Sequence, residues 1–404
     1  MEGIGSPARE LKPRVARTAV VNQGDDDKSP LRVTVDVTSL LDRPTGVGVF
    51  AREVLAGLAE RPHVDVTAIA VTWRGRRGLH GVVPGGVAVG GLAVPARLAR
   101  WGWARSRWPD VSMLAGRTDV VHGPNFVVPP GGGAAEVVTV HDLTALHFPE
   151  LCTPDVLQWP DLLRRSLDRG AWVHTVSHFV AEEVREWFPA AAERVVAIPN
   201  GLRLPPAAVP GRSDAAAGRR LAGGDRFVLA LGTVEPRKDL PSLVRAFDAL
   251  AAEDPELRLV VAGPDGWGAP ALTAARDQAR HRRRIVRLGW VDDAQRLALL
   301  RAAAVVAYPS RYEGFGLVPL EALSVGTLVV ASAAGALPEV LGDAAVLVPP
   351  SEPDALAGAL ASVMADGGLR ARLLAAGARR VVAYRWDRTV GDLVALYLRA
   401  AAAR

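Results

Sequence analysis

Short apolar segments alternate with segments of helical spacing along almost the whole chain. Residues 31–37 and 64–71 in the first half, and residues 227–231 and 257–263 in the second half, are runs of mostly aliphatic residues. Between the first two runs, residues 46–58 place their apolar side chains on one helical face. Strands that alternate with helices build a parallel sheet covered by helices on both faces. We therefore predict an α/β fold.

The length of the chain and one loop indicate two such domains. At 404 residues the chain is long enough for two separate cores. A loop rich in proline, alanine and glycine spans residues 205–224 and marks the boundary. We predict Rossmann-like parallel-sheet domains at 31–206 and 207–385, facing each other across a cleft. A last helix is expected near the C-terminus, and residues 1–30 should form a disordered leader.

Residues 305–341 carry the strongest indication of a binding site. An apolar strand at 305–308 is followed by a loop with two glycines, Gly314 and Gly316, and a helix begins near Leu317. A glycine loop at a helix N-terminus binds anions, because free backbone N–H groups and the helix dipole point at the loop.

Two acids flank this loop. Glu313 precedes the glycines, and Glu321 lies one turn inside the helix. If the chain between them were helical, the two side chains would lie about 12 Å apart and be turned by roughly 80°. Both could then face one elongated ligand. Carboxylates suit hydroxyl groups rather than phosphates, so we predict a ligand with a diphosphate and sugar hydroxyls, which is a nucleotide sugar.

Further polar residues follow the predicted strands in both halves. His141 and Asp142 come directly after an apolar run, and open α/β sheets bind their ligands at the carboxyl ends of strands. A core histidine bonded to the backbone is the alternative for His141, but the strand-end position favours a functional role. Arg237 and Lys238 stand in a loop just before a helix. We expect these residues to lie in the cleft.

Other motifs limit the chemistry. Gly46 and Gly48 precede a helix after the first strand, but the dinucleotide-binding pattern G-x-G-x-x-G is incomplete, which weakens a dehydrogenase interpretation.

Cys152 is the single cysteine, so an internal disulfide is excluded, as suits a reducing cytosol. The aspartates at 25–27 lie in the polar leader, where a solvated charge run is favoured over a metal site. We predict no metal site and no cofactor.

Charge and hydropathy limit the partners and the location. The net charge of +5 is mildly basic, and no nucleic-acid-binding motif is present, so we expect no nucleic-acid partner. No apolar run suits a transmembrane helix, and the N-terminus lacks the apolar region of a signal peptide. We expect a cytoplasmic protein, at most peripheral at the inner face of a membrane. The oligomeric state is left open.

Residues 95–109 could provide such a membrane contact. They combine four arginines with Trp101, Trp103 and Trp108, and this composition is typical of anionic lipid interfaces. The favoured interpretation is a surface helix whose tryptophans pack inward while the arginines stay solvated. Gly102 and the short length limit a continuous amphipathic face.

Six motifs occur in the order and spacing of a known family, from about residue 31 to 390. They are T-G-V-G-V-F, T-V-H-D-L, I-P-N-G, L-G-T-V-E-P-R-K-D-L, L-G-W-V-D-D and E-G-F-G-L-V-P-L-E-A-L. On these motifs the sequence resembles the family 4 retaining glycosyltransferases of the two-domain GT-B type, within a mannosyltransferase-like subgroup. The resemblance implies two Rossmann-like domains that face each other across a cleft, with a C-terminal helix at about 386–404 that crosses back to the N-terminal domain. It also implies transfer of a hexose from a nucleotide-diphosphate sugar to a hydroxyl group.

The resemblance also implies roles for individual residues. Arg237 and Lys238 would hold the diphosphate and stabilise the charge that grows as the phosphate leaves. Glu313 would bind hydroxyls of the donor sugar, and Glu321 those of the ribose. His141 would hydrogen-bond the donor sugar near the reacting carbon. The implied catalytic residues are His141, Arg237, Lys238 and Glu313.

Backbone groups complete the implied donor site. Gly46 would allow close approach to the diphosphate, and the backbone near Val291 would contact the base. The implied donor-binding residues are Gly46, Gly232, Arg237, Lys238, Val291, Glu313, Gly314, Phe315, Gly316, Leu317, Val318 and Glu321. One departure is Thr233, because many relatives have an arginine or lysine there. Arg237 would then take the role of that arginine or lysine.

The substrates stay open. The resemblance implies front-face attack without a metal, which fits a sequence with no evident metal cluster or nucleophile. GDP-mannose is the first choice of donor, ahead of UDP- and dTDP-sugars, and a glycan, a lipid or a small molecule could be the acceptor. The alternatives are a sugar-nucleotide 2-epimerase of the same fold, whose acid–base carboxylates cannot be placed, and a non-catalytic nucleotide-sugar-binding protein.

Overall fold

The described residues form two parallel β-sheets, one in each half of the chain. The computed structural model describes residues 29–41, 46–72, 76–91, 95–103, 105–203 and 214–404. The first sheet contains β1 Leu31–Asp36, β2 Val64–Ile69, β3 Ala88–Gly90, β4 Val120–Gly123, β5 Ala135–Val140, β6 Trp172–Thr175 and β7 Val195–Ala197. The second contains β8 Phe227–Leu231, β9 Arg258–Ala262, β10 Ile285–Gly289, β11 Val305–Tyr308, β12 Val329–Ser332 and β13 Val346–Val348.

Helices connect these strands and cover both faces of each sheet. Those in the first half are α1 Gly46–Ala59, α2 Arg76–Val82, α3 Ala96–Trp103, α4 Val111–Ala115, α5 Thr144–His147, α6 Trp159–Asp168 and α7 His178–Trp187. Those in the second half are α8 Asp214–Ala222, α9 Leu240–Glu253, α10 Ala269–Gln278, α11 Asp293–Ala302, α12 Leu317–Ser324, α13 Leu337–Leu341, α14 Pro353–Ala365, α15 Gly367–Val381 and α16 Trp386–Ala402. The predicted α/β class is confirmed.

The strand orders locate the crevices in which ligands of such folds bind. The first sheet runs β3-β2-β1-β4-β5-β6-β7 and the second β10-β9-β8-β11-β12-β13, with parallel pairing throughout the described ladders. In each sheet the chain winds outwards from a central pair of strands, so the direction of winding reverses between β1 and β4 and between β8 and β11. Ligands of open α/β sheets bind outside the carboxyl ends of the strands at such a reversal.

The last helix returns to the N-terminal sheet, as predicted. Val390, Leu393 and Tyr397 of α16 belong to the same buried cluster as Phe50 and Leu55 of α1. The apolar residues of α16 recur every three or four positions and form one buried stripe, which is the face that docks on the sheet. The C-terminal segment therefore connects the two domains.

The predicted leader and boundary loop lie partly outside the described residues, and the predicted domain boundaries stay untested. The leader, with the aspartates at 25–27, lies outside the described residues except for residues 29 and 30. Residues 205–213 of the predicted boundary loop also lie outside them, but residues 214–222 form α8, so the prediction of a loop over the whole of 205–224 is wrong. The domain boundaries at 206 and 385 stay predictions. Within the described residues, no helix has the length and apolar character needed to cross a membrane.

Two further expectations need correction. The chain between Glu313 and Glu321 is not one helix, because α12 begins only at Leu317 and Gly316 before it has a φ of 105°. The estimated spacing of the two acids therefore does not apply. The tryptophans of 95–109 do not all pack inward. Trp103 is buried and donates to the carbonyl of Pro109 at 2.9 Å, but Trp101 and Trp108 are 59% and 65% exposed.

Candidate active site

The candidate site starts at the carboxyl ends of β8 and β11. A small cavity lies between them, next to the reversal of strand order. Gly232 and Thr233 line it from the loop after β8, Lys238 from the following turn, and Tyr308 and Ser310 from the end of β11. Gly232 has a φ of 135°, a backbone conformation that favours glycine. The second domain therefore has an opening where a donor ligand is expected.

Glu313 stands at the centre of a buried polar cluster beside this cavity. Its side chain is 8% exposed, and three groups lie within hydrogen-bonding distance of one oxygen, Oε1. Lys238 Nζ lies 2.5 Å from it, Arg237 Nη1 2.8 Å, and the Ser310 hydroxyl 2.7 Å. Lys238 Nζ also donates to the Tyr308 hydroxyl at 2.6 Å. These side chains come from separate loops, so the fold assembles the predicted cationic loop and the first predicted acid into one group.

The electrostatics keep Glu313 ionised. Burial alone would raise the pKa of this carboxyl, but the charges of Arg237 and Lys238 outweigh burial and lower the pKa to about 2. The pKa of Arg237 is raised well above its usual range, because Glu313 and Glu235 overcome the effect of burial. Glu235 Oε2 lies 2.9 Å from Arg237 Nε. Burial and the neighbouring Arg237 charge lower the pKa of Lys238.

The loop after Glu313 ends in a helix N-terminus that has free donors. No side chain caps α12, so the N–H groups of its first turn, from Leu317 and Val318, are left for a ligand. Phe315 is different, because its ring is buried and meets Tyr384 edge-on at 5.6 Å. Only the backbone of Phe315 could therefore serve a ligand. Gly46, at the start of α1, is exposed.

Gly314 brings this loop against the N-terminal domain. A Cβ atom on Gly314 would lie 1.7 Å from the carbonyl oxygen of His141 and 3.0 Å from Cβ of Asp142. No other residue type fits there without movement of the backbone. The structure thus joins the glycine loop and the predicted histidine in one cleft.

The histidine has a defined tautomer. His141 Nε2 lies 2.8 Å from the carbonyl oxygen of Pro124, which can only accept, so Nε2 carries the hydrogen. Burial lowers the pKa of His141 and keeps the ring neutral. Phe50 packs edge-on against the ring with centroids 5.2 Å apart. Nδ1 is therefore the atom that a ligand hydroxyl could reach, as an acceptor.

Glu321 is paired with a residue that the sequence did not single out. Arg296 of α11 forms an ion pair with Glu321 Oε2. Burial lowers the pKa of Arg296, although Asp293 opposes the shift. Asp292 and Gln295 form a capping box that fixes the N-terminus of α11, directly after Val291. The acid expected to bind the ribose and the backbone expected to contact the base are thus both adjacent to α11. No motif marks Arg296.

Two sequence families match the two halves of the chain. Residues 44–204 match Glycosyltransferase Family 4, and residues 212–380 match Glycosyl transferases group 1. The O-antigen chain mannosyltransferase B of Escherichia coli is 31% identical over 287 residues, which cover 69% of this chain and 74% of that protein. A D-inositol 3-phosphate glycosyltransferase of Salinispora arenicola is 33% identical over 329 residues, covering 73% and 71%. The chain belongs to glycosyltransferase family 4.

A solved structure supports the fold of this family 4 glycosyltransferase. Sucrose-phosphate synthase from Thermosynechococcus elongatus superposes with a TM-score of 0.72 at 20% identity, covering 93% of this chain and all of that one. The predicted GT-B fold and the resemblance are therefore confirmed, and the protein is a hexosyltransferase. Because the two sequence relatives are transferases, the epimerase and the non-catalytic alternatives lose support.

The two domains of the glycosyltransferase also meet through contacts that the sequence did not predict. Tyr312 donates its hydroxyl hydrogen to Glu183 and accepts from the backbone N–H of Leu143 at 3.1 Å. Ser177 donates to the carbonyl of Gly314 at 2.8 Å. A pattern in one half of a chain contains no information about a partner in the other half, so these contacts required the tertiary structure.

Proposed function

We propose that this glycosyltransferase moves a hexose, with retention of configuration, from a nucleotide-diphosphate sugar to a hydroxyl group. The buried cluster of Arg237, Lys238 and Glu313 carries the proposal, because it lies against the cavity at the reversal of strand order. Two cations beside an uncapped helix N-terminus suit a diphosphate. The carboxylate beside them suits sugar hydroxyls, which donate hydrogen bonds.

The remaining groups take the roles expected from the resemblance. Arg237, Lys238 and the backbone of residues 314–318 bind the diphosphate and the sugar. Glu321, oriented by Arg296, binds the ribose hydroxyls, and the backbone at Val291 contacts the base. In the N-terminal domain, the backbone at Gly46 approaches the diphosphate. His141 accepts a hydrogen bond at Nδ1 from a hydroxyl group of the sugar.

The proposed reaction takes place on one face of the sugar. The bond between the anomeric carbon and the phosphate oxygen breaks, and the acceptor oxygen forms its bond to that carbon from the same side. The acceptor proton passes to the departing phosphate oxygen. Arg237 and Lys238 stabilise the negative charge that grows on the phosphate, in a buried site where water screens it little.

We propose transfer without a metal ion. Among the described residues, no group of three or more His, Cys, Asp or Glu side chains is arranged to hold one. The proposal rests on Arg237 and Lys238, which supply positive charge at the position where a metal would otherwise neutralise the diphosphate. GDP-mannose is the first choice of donor, which the similarity to an O-antigen mannosyltransferase supports.

A binding and turnover panel tests the function. GDP, UDP and dTDP are compared for the rise in melting temperature they cause, since a ligand that binds only the folded state stabilises it. The matching mannose and glucose donors are then assayed for release of the nucleoside diphosphate, with and without excess EDTA. We expect one nucleotide to stabilise the protein and its sugar to be consumed equally in both conditions. No stabilisation by any nucleotide would contradict the function, and loss of turnover in EDTA would contradict metal independence.

We also propose a peripheral contact with an anionic membrane through residues 95–109. Trp101, Trp108 and Leu98 expose their apolar side chains, and Arg105 lies over the Trp101 ring at 4.5 Å. Exposed tryptophans with arginines beside them suit the interface of an anionic bilayer.

A further inference from the structure

Tyr312, the residue directly before Glu313, inserts its side chain into the N-terminal domain. Its ring lies against those of Phe148, His147 and Phe179, with centroids 5.7, 5.5 and 6.1 Å away. Tyr312 is only 4% exposed. A side chain from the second domain is therefore enclosed by aromatic side chains of the first.

The hydroxyl of Tyr312 has a partner in each of two elements of the N-terminal domain. It accepts a hydrogen bond from the backbone N–H of Leu143 at 3.1 Å and donates one to Glu183 Oε2 on α7. Burial and the adjacent Glu183 carboxylate raise the pKa of Tyr312, so the hydroxyl keeps its hydrogen and acts as a donor. The position of this side chain is thus fixed by packing and by two hydrogen bonds.

Glu183 is a buried acid that has no role in the reaction proposed above. It is 9% exposed, and its other oxygen, Oε1, lies 2.8 Å from Nε2 of His147. Burial raises the pKa of Glu183, whereas Tyr312 and His147 oppose the shift. Burying a carboxyl group costs free energy unless its oxygens have partners. Both oxygens of Glu183 have one, and both partners belong to the surroundings of Tyr312.

The two neighbours of Glu313 in the chain are both held by the N-terminal domain. Tyr312 is held through Glu183, and the carbonyl of Gly314 accepts a hydrogen bond from the Ser177 hydroxyl at 2.8 Å. Fixing the residues on both sides of a position restricts the backbone dihedrals of the residue between them. The N-terminal domain therefore helps to set the position of the Glu313 carboxylate.

We propose that Tyr312 and Glu183 are positioning residues for the transfer reaction, and that their hydrogen bond holds Glu313 where it meets the hydroxyls of the donor sugar. The inference rests on the proposed function, in which Glu313 binds that sugar. In this role neither Tyr312 nor Glu183 contacts the sugar. They act through the backbone that joins Tyr312 to Glu313.

Three variants of the pair test the proposal. Tyr312→Phe removes the hydroxyl and keeps the ring, so the aromatic contacts and the fold should remain. Glu183→Ala removes the acceptor, whereas Glu183→Gln keeps an oxygen that accepts from Tyr312. We expect Tyr312→Phe and Glu183→Ala to lower kcat/KM at least about tenfold, because small displacements of a positioned group have effects of this size. The assay is release of the nucleoside diphosphate from the nucleotide sugar.

The glutamine variant separates the loss of a hydrogen bond from the loss of a side chain. Glu183→Gln should keep kcat/KM within about threefold of the wild type, because its amide oxygen replaces the carboxylate as acceptor. A loss as large as that of Glu183→Ala would overturn the proposal. Urea unfolding of each variant without nucleotide checks that it is folded in the assay.

Affinity for the nucleoside diphosphate separates positioning of Glu313 from a purely structural role. Arg237 and Lys238 are proposed to bind the diphosphate, and neither side chain bonds to the Tyr312 hydroxyl. In Tyr312→Phe the Kd measured by titration calorimetry should therefore stay within about twofold of the wild-type value. GDP is the first probe, with GDP-mannose as the matching donor in the turnover assay. A loss of GDP affinity as large as the loss of kcat/KM would show that the hydrogen bond only joins the domains, and would overturn the proposal.

Matched controls lie close to the pair. Tyr384→Phe removes a buried hydroxyl that bonds within the second domain, and Glu182→Ala removes an exposed carboxylate on α7. We expect both to keep the wild-type kcat/KM. The double variant of Glu183→Ala and Tyr312→Phe should lose no more than the larger single loss, because both changes remove the same hydrogen bond. Losses that multiply would overturn the proposal.

Binding to the wild type separates the two possible failures. If no nucleotide stabilises the wild type, the proposed function itself fails. If a nucleotide binds and its sugar is consumed, but Tyr312→Phe and Glu183→Ala turn over like the wild type, the positioning inference is wrong and the proposed function stands.

Discussion

At the scale of single residues, the Glu313 cluster combines binding groups with a buried ion-pair network. One carboxylate oxygen forms ion pairs with Lys238 and Arg237 and accepts a hydrogen bond from Ser310. Removing one partner of such a network leaves uncompensated charge in the interior, which costs about 3–5 kcal/mol. Substitution of Glu313 should therefore reduce stability as well as activity.

A double-mutant cycle with Glu313→Gln and Lys238→Met tests this coupling. We expect each single variant to lose transfer by at least about a hundredfold, because we propose that Glu313 binds the sugar and Lys238 the diphosphate. Glu313→Gln should lower the free energy of unfolding by about 3–5 kcal/mol, and the double variant should lose less than the sum of both. Urea unfolding and initial rates give the two readouts.

The cycle has a matched control and a clear contrary result. Thr273→Val removes a hydroxyl that bonds within α10 and to Arg287, outside the cluster, and should leave the transfer rate unchanged. Wild-type turnover in either Glu313→Gln or Lys238→Met would contradict their proposed roles, and strictly additive stability losses would contradict the network.

At the scale of elements, a chain of hydrogen bonds connects α16 to the N-terminal sheet. The carbonyl of Ile198 only accepts, so His174 donates through Nε2 at 2.9 Å and accepts from Thr139 at Nδ1. Thr139 then accepts from His122 Nε2 at 2.7 Å. The Tyr397 hydroxyl on α16 donates to His122 Nδ1 at 2.7 Å. The arrangement requires both imidazoles to be neutral.

The protein should therefore lose stability as the pH falls below 6.5. Burial lowers the pKa of His174 from 6.5 to about 3 and also lowers that of His122, so the unfolded chain takes up protons that the folded one excludes. For His174, the free energy of unfolding should fall by about 1.4 kcal/mol per pH unit as the pH falls from 6.5 towards 3, and the lowered pKa of His122 acts in the same direction. Urea unfolding between pH 7 and pH 5 measures this slope.

Two histidine variants test whether the buried histidines cause the pH dependence of the free energy of unfolding. His174→Gln removes one buried imidazole and should reduce the pH dependence, whereas His63→Gln changes an exposed one and should not alter it. A slope that is the same in wild type and His174→Gln would show that other groups cause it.

At the scale of the whole molecule, the domains meet through the glycine loop at Gly314 and Gly316 and through α13. Glu339 of α13 accepts from the backbone N–H groups of His178 and Phe179, at the N-terminus of α7, at 2.9 and 2.8 Å. Trp267 donates to the carbonyl of Leu151 across the cleft at 2.8 Å. These hydrogen bonds join the two domains.

The proposed membrane surface is tested on the intact protein. Replacement of both Trp101 and Trp108 by alanine should reduce co-sedimentation with vesicles of phosphatidylglycerol, because both rings are exposed. Added salt should weaken binding of the wild type, because the neighbouring arginines contribute electrostatic attraction. Trp187→Ala, at a ring 45% exposed on α7, is the control. Sedimentation unaffected by the double replacement would contradict the membrane contact.

Local patterns in the sequence determined the elements and much of the candidate site. The strand of 305–308, the helix start at Leu317 and the cationic loop at Arg237 and Lys238 all follow from residues close together in the chain. Their grouping at the carboxyl ends of strands follows from the parallel topology, so His141 and Glu313 could be expected to share a cleft. The resemblance of the sequence to the family 4 glycosyltransferases also rests on short motifs of consecutive residues.

Only the tertiary structure decided which distant side chains pair and which stay exposed. The pairing of Arg296 with Glu321 and that of Tyr312 with Glu183 depend on the docking of separate elements, and no periodicity encodes them. The same holds for Trp101, whose exposure depends on what the rest of the fold leaves uncovered. A sequence determines local conformation directly, but it determines long-range contacts only through the packing of the whole chain.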